Sequence, residues 1–319
     1  MPKNSSPSSD QSTGKPSRKV LAKAPAAKPA QVIEELRPGQ SIELLQELHI
    51  LTREGKLNQD TRRKLKQVYH LYQFIEPLLN EAAASGHGFT LADHGAGKSY
   101  LGFILYDLFF NVAHRGEPVS GHVYGIETRA ELVEKSRALA ARLGFANMSF
   151  LNLSVQQATA SSELPPRVDI VTALHACDTA TDDAIAFGLA RCARHMVLVP
   201  CCQAEVAGVL KKSRALNLNR NPLAELWRHP LHTREFGSQI TNVLRCLQLE
   251  ANGYQVTVTE LVGWEHSMKN ELILASRPST PSPAKTRAAQ TRLQQVLAEL
   301  GLGELTARFA AAAGDAGPA

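Results

Sequence analysis

The eight residues Leu91-Ala92-Asp93-His94-Gly95-Ala96-Gly97-Lys98 constrain the fold of this 319-residue chain more than any other segment. A short apolar run, Gly88 to Ala92, delivers an acidic residue and then two glycines one residue apart. An apolar segment of helical character, Leu101 to Phe110, follows. These signals read as a strand, a tight turn and a helix. Glycine is needed in such a turn because its backbone angles exclude a side chain and because a ligand must approach the backbone closely. About one crossover later a second strand, His122 to Ile126, ends in Glu127. A carboxylate at that strand end can hold the two hydroxyls of a ribose. Together they predict a nucleoside-cofactor site in a doubly wound α/β domain.

The chain beyond Gly88 alternates strand and helix. The expected elements are a strand ending at Asp93, helix Ser99–His114, a strand ending at Glu127, helix Arg129–Leu143 and strand Met148–Leu153. Strand Val168–Leu174, helix Asp182–Ala193 and strand His195–Val199 follow, then a helical stretch Glu235–Asn252. Such alternation implies a parallel sheet with right-handed crossovers. Tyr254–Val262 and Glu271–Ser276 read as a terminal antiparallel hairpin. The fold class is therefore α/β: a Rossmann-like, seven-stranded sheet with a terminal β-hairpin, preceded and followed by helical segments.

Three cofactors compete for the loop. A phosphate-binding P-loop needs Gly, four residues, then Gly-Lys-Ser/Thr; Gly97-Lys98-Ser99 fits its end, but the first glycine position is Ala92. The nicotinamide fingerprint needs a third glycine where this chain has Tyr100, and Glu127 lies 34 residues beyond Asp93, too far for that motif. S-adenosylmethionine carries no phosphate, so the loop need only make room and offer backbone contacts. Asp93-x-Gly95-x-Gly97 followed by Glu127 resembles motifs I and II of class I S-adenosylmethionine-dependent methyltransferases. The resemblance implies cofactor binding by Asp93, His94, Gly95, Ala96, Gly97, Glu127 and Thr128, with Asp93 engaging the amino-acid end of the cofactor directly or through water. Asn152, Leu153 and Ser154, at the third strand end, fall near the adenine, where the usual acidic residue is absent.

Ligands in open α/β sheets bind outside the carboxyl ends of the strands, near the switch in strand order. Here that places His175, Cys177 and Asp178 after strand four beside Cys201 and Cys202 after strand five. Leu174-His175-Ala176-Cys177 with Pro200-Cys201-Cys202 resembles a methyltransferase-like family that carries Leu-His-x-Cys and Pro-Cys-Cys at these strand ends. The family includes the eukaryotic methyltransferase-like proteins and the glutathione S-transferase C-terminal domain-containing protein. His266-Ser267-Met268-Lys269-Asn270 resembles its Thr-Pro-Lys-Asn loop, and Arg62 to Val68 its basic helix. Glycine often follows the family's cysteine, where this chain has Asp178. The resemblance covers roughly Asp60 to Arg277 and implies an RNA acceptor. Catalytic candidates are thus His175, Cys177, Asp178, Cys201 and Cys202, with His175 or Asp178 as a base. Paired cysteines also admit cytosine-5 methylation of RNA. The bland alternative is small packed thiols, above all Cys192 and Cys246 on helices. Adjacent cysteines are poor chelators, so no metal is expected.

Composition sets the outer limits. The 44% hydrophobic content supports a core, and no apolar run reaches the roughly 18 residues of a membrane span. Five cysteines without an apolar signal core predict a reducing cytoplasm. The net charge of +5 belongs to the tails: residues 1–40 carry +4 and residues 277–319 carry +2, which leaves −1 for the body. The expected organisation is a disordered basic tail over 1–40, N-terminal helices over 41–85, the cofactor-binding domain over 86–277, a linker over 278–284 and a helical tail over 285–319. The first helices are expected at Ser41–Arg53 and from a cap at Asp60, whose first turns hold Arg62, Arg63, Lys64 and Lys66. These, and Lys211, Lys212, Arg214 and Arg220 in the insert Gln203–Ser238, favour tRNA or rRNA as acceptor. Leu293, Val296, Leu297 and Leu300 offer a helical face to a protein partner. The expected function is S-adenosylmethionine-dependent methyl transfer to RNA. The alternatives are a non-catalytic cofactor-binding scaffold and a nucleotide hydrolase using Gly97-Lys98-Ser99.

Overall fold

Seven strands pair into one sheet in this computed structural model, which describes residues 35–174, 178–200, 203–213, 225–226, 228–261 and 271–310. The expectations placed on residues 1–34, on His175, Cys177, Cys201, Cys202, Arg214 and Arg220, and on the loop His266–Asn270 lie outside the described residues. The strands are β1 (Phe89–His94), β2 (Gly121–Glu127), β3 (Met148–Asn152), β4 (Ile170–Leu174), β5 (His195–Val199), β6 (Gln255–Glu260) and β7 (Glu271–Ser276). Their order is β3-β2-β1-β4-β5-β7-β6. The first five are parallel; β7 runs antiparallel to β5, and β6 antiparallel to β7. The expected sheet and terminal hairpin are both present. β5 is buried at every position and β1 at all but one, the pattern of strands covered by helices on both faces.

Nine α-helices stand among the described residues: α1 (Ile42–Glu47), α2 (Gln59–Ala83), α3 (Tyr100–Tyr106), α4 (Ala130–Leu143), α5 (Val155–Ala160), α6 (Ala180–Ala190), α7 (Glu205–Ser213), α8 (Pro230–Ala251) and α9 (Pro283–Glu299). α5 and α7 were not expected. Several boundaries differ from the sequence reading for identifiable reasons. The cap of α2 is Asn58, not Asp60: Asn58 accepts from the Thr61 N–H at 2.9 Å while Thr61 accepts from the Asn58 N–H at 2.9 Å. α3 starts at Tyr100 because Ser99 is left-handed, at φ +50°. It passes into a π-helical stretch, Asp107–Ala113, where buried Asp107 accepts from the Ser41 N–H and from Asn111. α6 stops at Ala190 because Cys192 takes φ +50°. Cys192 is exposed, so the expectation of a packed thiol on a helix does not hold there.

The core lies on both faces of the sheet and continues under the C-terminal helix. One cluster joins Ala92, Ile126, Val171, Phe187, Met196 and Ile273. A second joins Val206 and Leu210 of α7 and Leu244 and Leu247 of α8 to Leu293, Leu297 and Phe309. The apolar face of α9 that the sequence offered to a partner is therefore covered by this chain's own helices. No described helix is long and apolar enough to cross a membrane.

Leu293 is essentially buried within that second cluster. Leu293→Ala should lower unfolding stability by about 2–5 kcal/mol in urea titrations, because the transfer loss and the residual cavity add. A change below about 0.5 kcal/mol would show that α9 is not integral to the fold.

Candidate cofactor and acceptor site

β1 carries Asp93 and His94 to the carboxyl edge of the sheet, where the strand order reverses between β1 and β4. Asp93 is 2% exposed. Thr172 of β4 donates to its Oδ1 at 2.8 Å, and the Gly102 backbone N–H of α3 also donates to the carboxylate. Burial pushes its pKa up to about 7, against the pull of these two hydrogen bonds. The space around it is tight: a Cβ on Gly102 would lie 2.7 Å from Ser99 Oγ and 3.4 Å from Asp93 Oδ2. Asp93 is thus a brace between β1, β4 and α3, and its carboxylate is turned into the interior, away from a direct cofactor contact.

The loop above it is open. Gly95 and Gly97 adopt φ +65° and +58°, the left-handed region that glycine enters at no steric cost. A Cβ on Gly97 would meet only Arg129 Nη2, at 3.7 Å. Gly97 donates its N–H to Glu127 Oε2 at 2.8 Å, so loop and second-strand carboxylate form one unit. Glu127 Oε1 accepts from the Arg129 N–H at 3.0 Å, from Arg129 Nε at 3.1 Å and from Thr128 Oγ1 at 3.2 Å. Partial burial alone would raise the Glu127 pKa; the Arg129 side chain and backbone and the Gly97 N–H outweigh it and hold the pKa at about 2. Glu127 is therefore an anionic acceptor at neutral pH, as a ribose diol requires.

The third strand end contributes backbone geometry. Asn152 donates its amide to the carbonyls of Glu127 at 3.0 Å and Thr128 at 2.8 Å. Ser154 caps α5, reciprocally with Gln157, and Leu153 packs against the core. Asn152 thereby fixes the turn after β2, while Ser154 and Leu153 serve α5 and the core.

Orphaned polar atoms are concentrated in and around the loop. His94 Nδ1 and Nε2, Ser99 Oγ and Tyr100 OH are all buried without a hydrogen-bond partner, within seven residues of chain. Each such atom costs about 1–3 kcal/mol, so their concentration here calls for an explanation. Ser99 also removes the nucleotide-hydrolase alternative: its hydroxyl is fully buried toward Gly102, Gly125 and Asp93, where no phosphate-bound magnesium can reach it. Lys98 is exposed. A cofactor without phosphate fits these residues.

On the acceptor side, of the five catalytic candidates only Asp178 is described. It adopts φ +51° and accepts from the Ala204 N–H at 2.9 Å, which ties the segment after β4 to that after β5. Sequence reasoning missed what lies beneath. Arg245, fully buried, forks onto Asp182 at 2.8 and 2.7 Å and donates to the Asp178 carbonyl at 2.8 Å. Asn242 accepts from Arg245 at 3.1 Å and from Gln203 at 2.9 Å, and donates to Glu271 at 2.6 Å. Ser238 donates to Gln203. The signal was present: Ser238, Asn242 and Arg245 stand at helical spacing on one stripe of α8. Burial raises the Cys246 thiol to about 12, reinforced by Glu271 and Glu250, so this cysteine is a packed, inert group. Among the described residues no group of three or more His, Cys, Asp and Glu side chains gathers as metal ligands.

A sheet of this order, with a glycine loop after β1 and an anionic acceptor ending β2, is the arrangement expected of class I S-adenosylmethionine-dependent methyltransferases. Residues 63–209, which carry the loop, the carboxylate and the brace, match the sequence profile of the family described as methyltransferase domain. No curated protein matches the chain in sequence. Among solved structures the fold is similar to magnesium protoporphyrin IX methyltransferase (ChlM) from Synechocystis PCC 6803 with bound S-adenosylhomocysteine. That pair shares 16% identity over 74% of this chain and 93% of that one, with a TM-score of 0.40. An rRNA methylase from Streptococcus thermophilus is 9% identical over 64% and 94% of the two chains, with a TM-score of 0.39. A SAM-dependent methyltransferase from Aquifex aeolicus is 19% identical over 59% and 81%, with a TM-score of 0.33.

Two outcomes follow from this geometry. Glu127→Ala should weaken S-adenosylmethionine binding by about tenfold or more in calorimetry; an unchanged affinity would remove Glu127 from the ribose site. The Asp93 carboxyl holds its proton more tightly folded than unfolded, since its pKa lies above the ordinary 3.8. The wild type therefore loses stability as pH rises from about 4 through about 7. Asp93→Asn should accordingly gain in Tm over wild type at about pH 8 relative to about pH 5. An equal Tm difference at both pH values would contradict the buried, proton-holding carboxyl.

Proposed function

We propose that this methyltransferase acts on RNA, of the tRNA or rRNA class. The observation that carries the reading is the placement of one basic helix turn. Glu81, in the last turn of α2, pairs with Arg194 and stands 3.7 Å from His195, at the amino end of β5. α2 therefore runs against the strands, and its 25 residues span about 37 Å. That direction carries Arg62, Arg63, Lys64 and Lys66, all exposed, toward the carboxyl edge, the edge that bears the glycine loop. Exposed Lys98 and Arg129 add positive charge beside the loop. A cationic rim around a cofactor site suits a polyanionic acceptor, whose phosphates position it without reading sequence.

Bound S-adenosylmethionine supplies an activated methyl group, and the displacement needs an in-line nucleophile. Much of the rate in such a step comes from orientation. The chain's own contribution is to hold the ribose on Glu127, keep the loop open above Gly97 and fix the segments after β4 and β5 through Asp178, Asn242 and Arg245.

Tritiated S-adenosylmethionine should label total RNA in a ribonuclease-sensitive manner. Charge reversal at Arg63, Lys64 and Lys66 together should lower that labelling by about tenfold or more at physiological salt, with cofactor affinity unchanged. Label confined to protein, or labelling indifferent to the reversal, would refute an RNA acceptor bound through this helix.

A further inference from the structure

We propose that β6 pairs antiparallel with the β6 of a second copy of this chain, about a two-fold axis, so that two sheets become one. β6 is the last strand of the sheet, and none of its six residues is buried. The direction of its backbone groups follows from its neighbours, because successive residues of a strand turn them to alternate sides. Arg277 donates its N–H to the Arg194 carbonyl, so the odd-numbered residues of β7 face β5 and the even-numbered ones face β6. Gln255, Thr257 and Thr259 lie opposite Ser276, Leu274 and Leu272 and bond to them. Val256, Val258 and Glu260 therefore turn their N–H and C=O groups out of the sheet. Among the described residues nothing bonds to these six groups.

Free edges are ordinarily blunted by a lysine, a proline, a bulge or a covering side chain. The opposite edge of this sheet has such a cover. Asn147 accepts from the Val123 N–H, so Phe150 of β3 turns its carbonyl outward, and Arg137 occupies it from Nε at 3.0 Å and Nη2 at 2.7 Å. β6 carries no Lys, Pro or Gly, and its register with β7 is unbroken over six pairs. Its one charged residue, Glu260, stands at its end.

The strand is complementary to itself. In a pairing centred on Val258, Val258 faces Val258 and Val256 faces Glu260, so all six outward groups of each copy find partners. The positions between set Thr257 against Thr259, a favourable cross-strand pair. No like charges meet. Val258, 51% exposed, places apolar surface on the axis. Val243 of α8, 45% exposed, adds more near the same strand: its neighbour Asn242 bonds Glu271, the cross-strand partner of Glu260. β5 and β6 are both antiparallel to β7, so the two copies present their cofactor edges on opposite sides of the joined sheet.

Light scattering on the full chain should give twice the 34.7 kDa of one copy. Val258→Lys and Val258→Glu each set like charges face to face on the axis. Each should raise the dimer dissociation constant by about tenfold or more. Mixed in equal amounts, the two variants should recover a dimer, because the introduced charges then have opposite sign. Val258→Pro removes only an outward N–H and spares the ladder to β7, so it should give a folded monomer with unchanged S-adenosylmethionine affinity. A monomeric wild type would overturn the proposal, as would dimers undisturbed by all three substitutions or a mixture that stays monomeric. Slow amide exchange at Val256 and Val258 in a monomer would overturn it in favour of a segment of this chain covering the edge.

Discussion

The hydrogen bond from Thr172 to Asp93 is the constraint around which the rest of the site is arranged. It crosses the junction between β1 and β4, where the sheet changes direction and a crevice must open. By also accepting the Gly102 N–H, the same carboxyl ties down the first turn of α3. The loop Gly95–Lys98 is thereby held at both ends, and its glycines can be left-handed without the turn collapsing. A buried carboxyl is costly, and the upward shift of its pKa is the measure of that cost. The protein retains it because an apolar residue there would leave Thr172 and Gly102 without their acceptor.

A second polar assembly does the same beside the ends of β4 and β5. Arg245 is a full charge without solvent, which is tolerable only because Asp182 meets it with both oxygens and Asp178 and Asn242 each accept one further hydrogen bond from it. Through Asn242, Gln203 and Glu271, one stripe of α8 touches the segments after β4 and β5 and the start of β7. α9 covers the other side of α8. The C-terminal helices are thus mechanically continuous with the segments that follow β4 and β5.

Glu127 illustrates how far a site residue can be read from sequence and where reading stops. Its place at the end of an apolar run after a glycine loop was enough to nominate it. That it is held ionised by Arg129 and bonded to Gly97 follows from the approach of two loops, which no local pattern encodes. Asn152 and Ser154 show the converse. Their positions were legible, but their side chains serve the backbone of the turn and the cap of α5.

The chain by itself determined the alternation of strand and helix, the glycine turn and the terminal hairpin. These depend on signals of short range: apolar runs that need burial, period-2 and period-3.6 patterns, and glycines where side chains are excluded. Only the tertiary structure decided that Asp93 turns inward to Thr172, that His94 is buried with both nitrogens unpaired, and that Arg245 lies beneath the acceptor end. It also decided that the apolar face of α9 is spent on α7 and α8. Each of these depends on which helix covers which face of the sheet. That is settled by packing between residues such as Asp93 and Thr172, or Asp182 and Arg245, that are dozens of positions apart and carry no mark of one another in sequence.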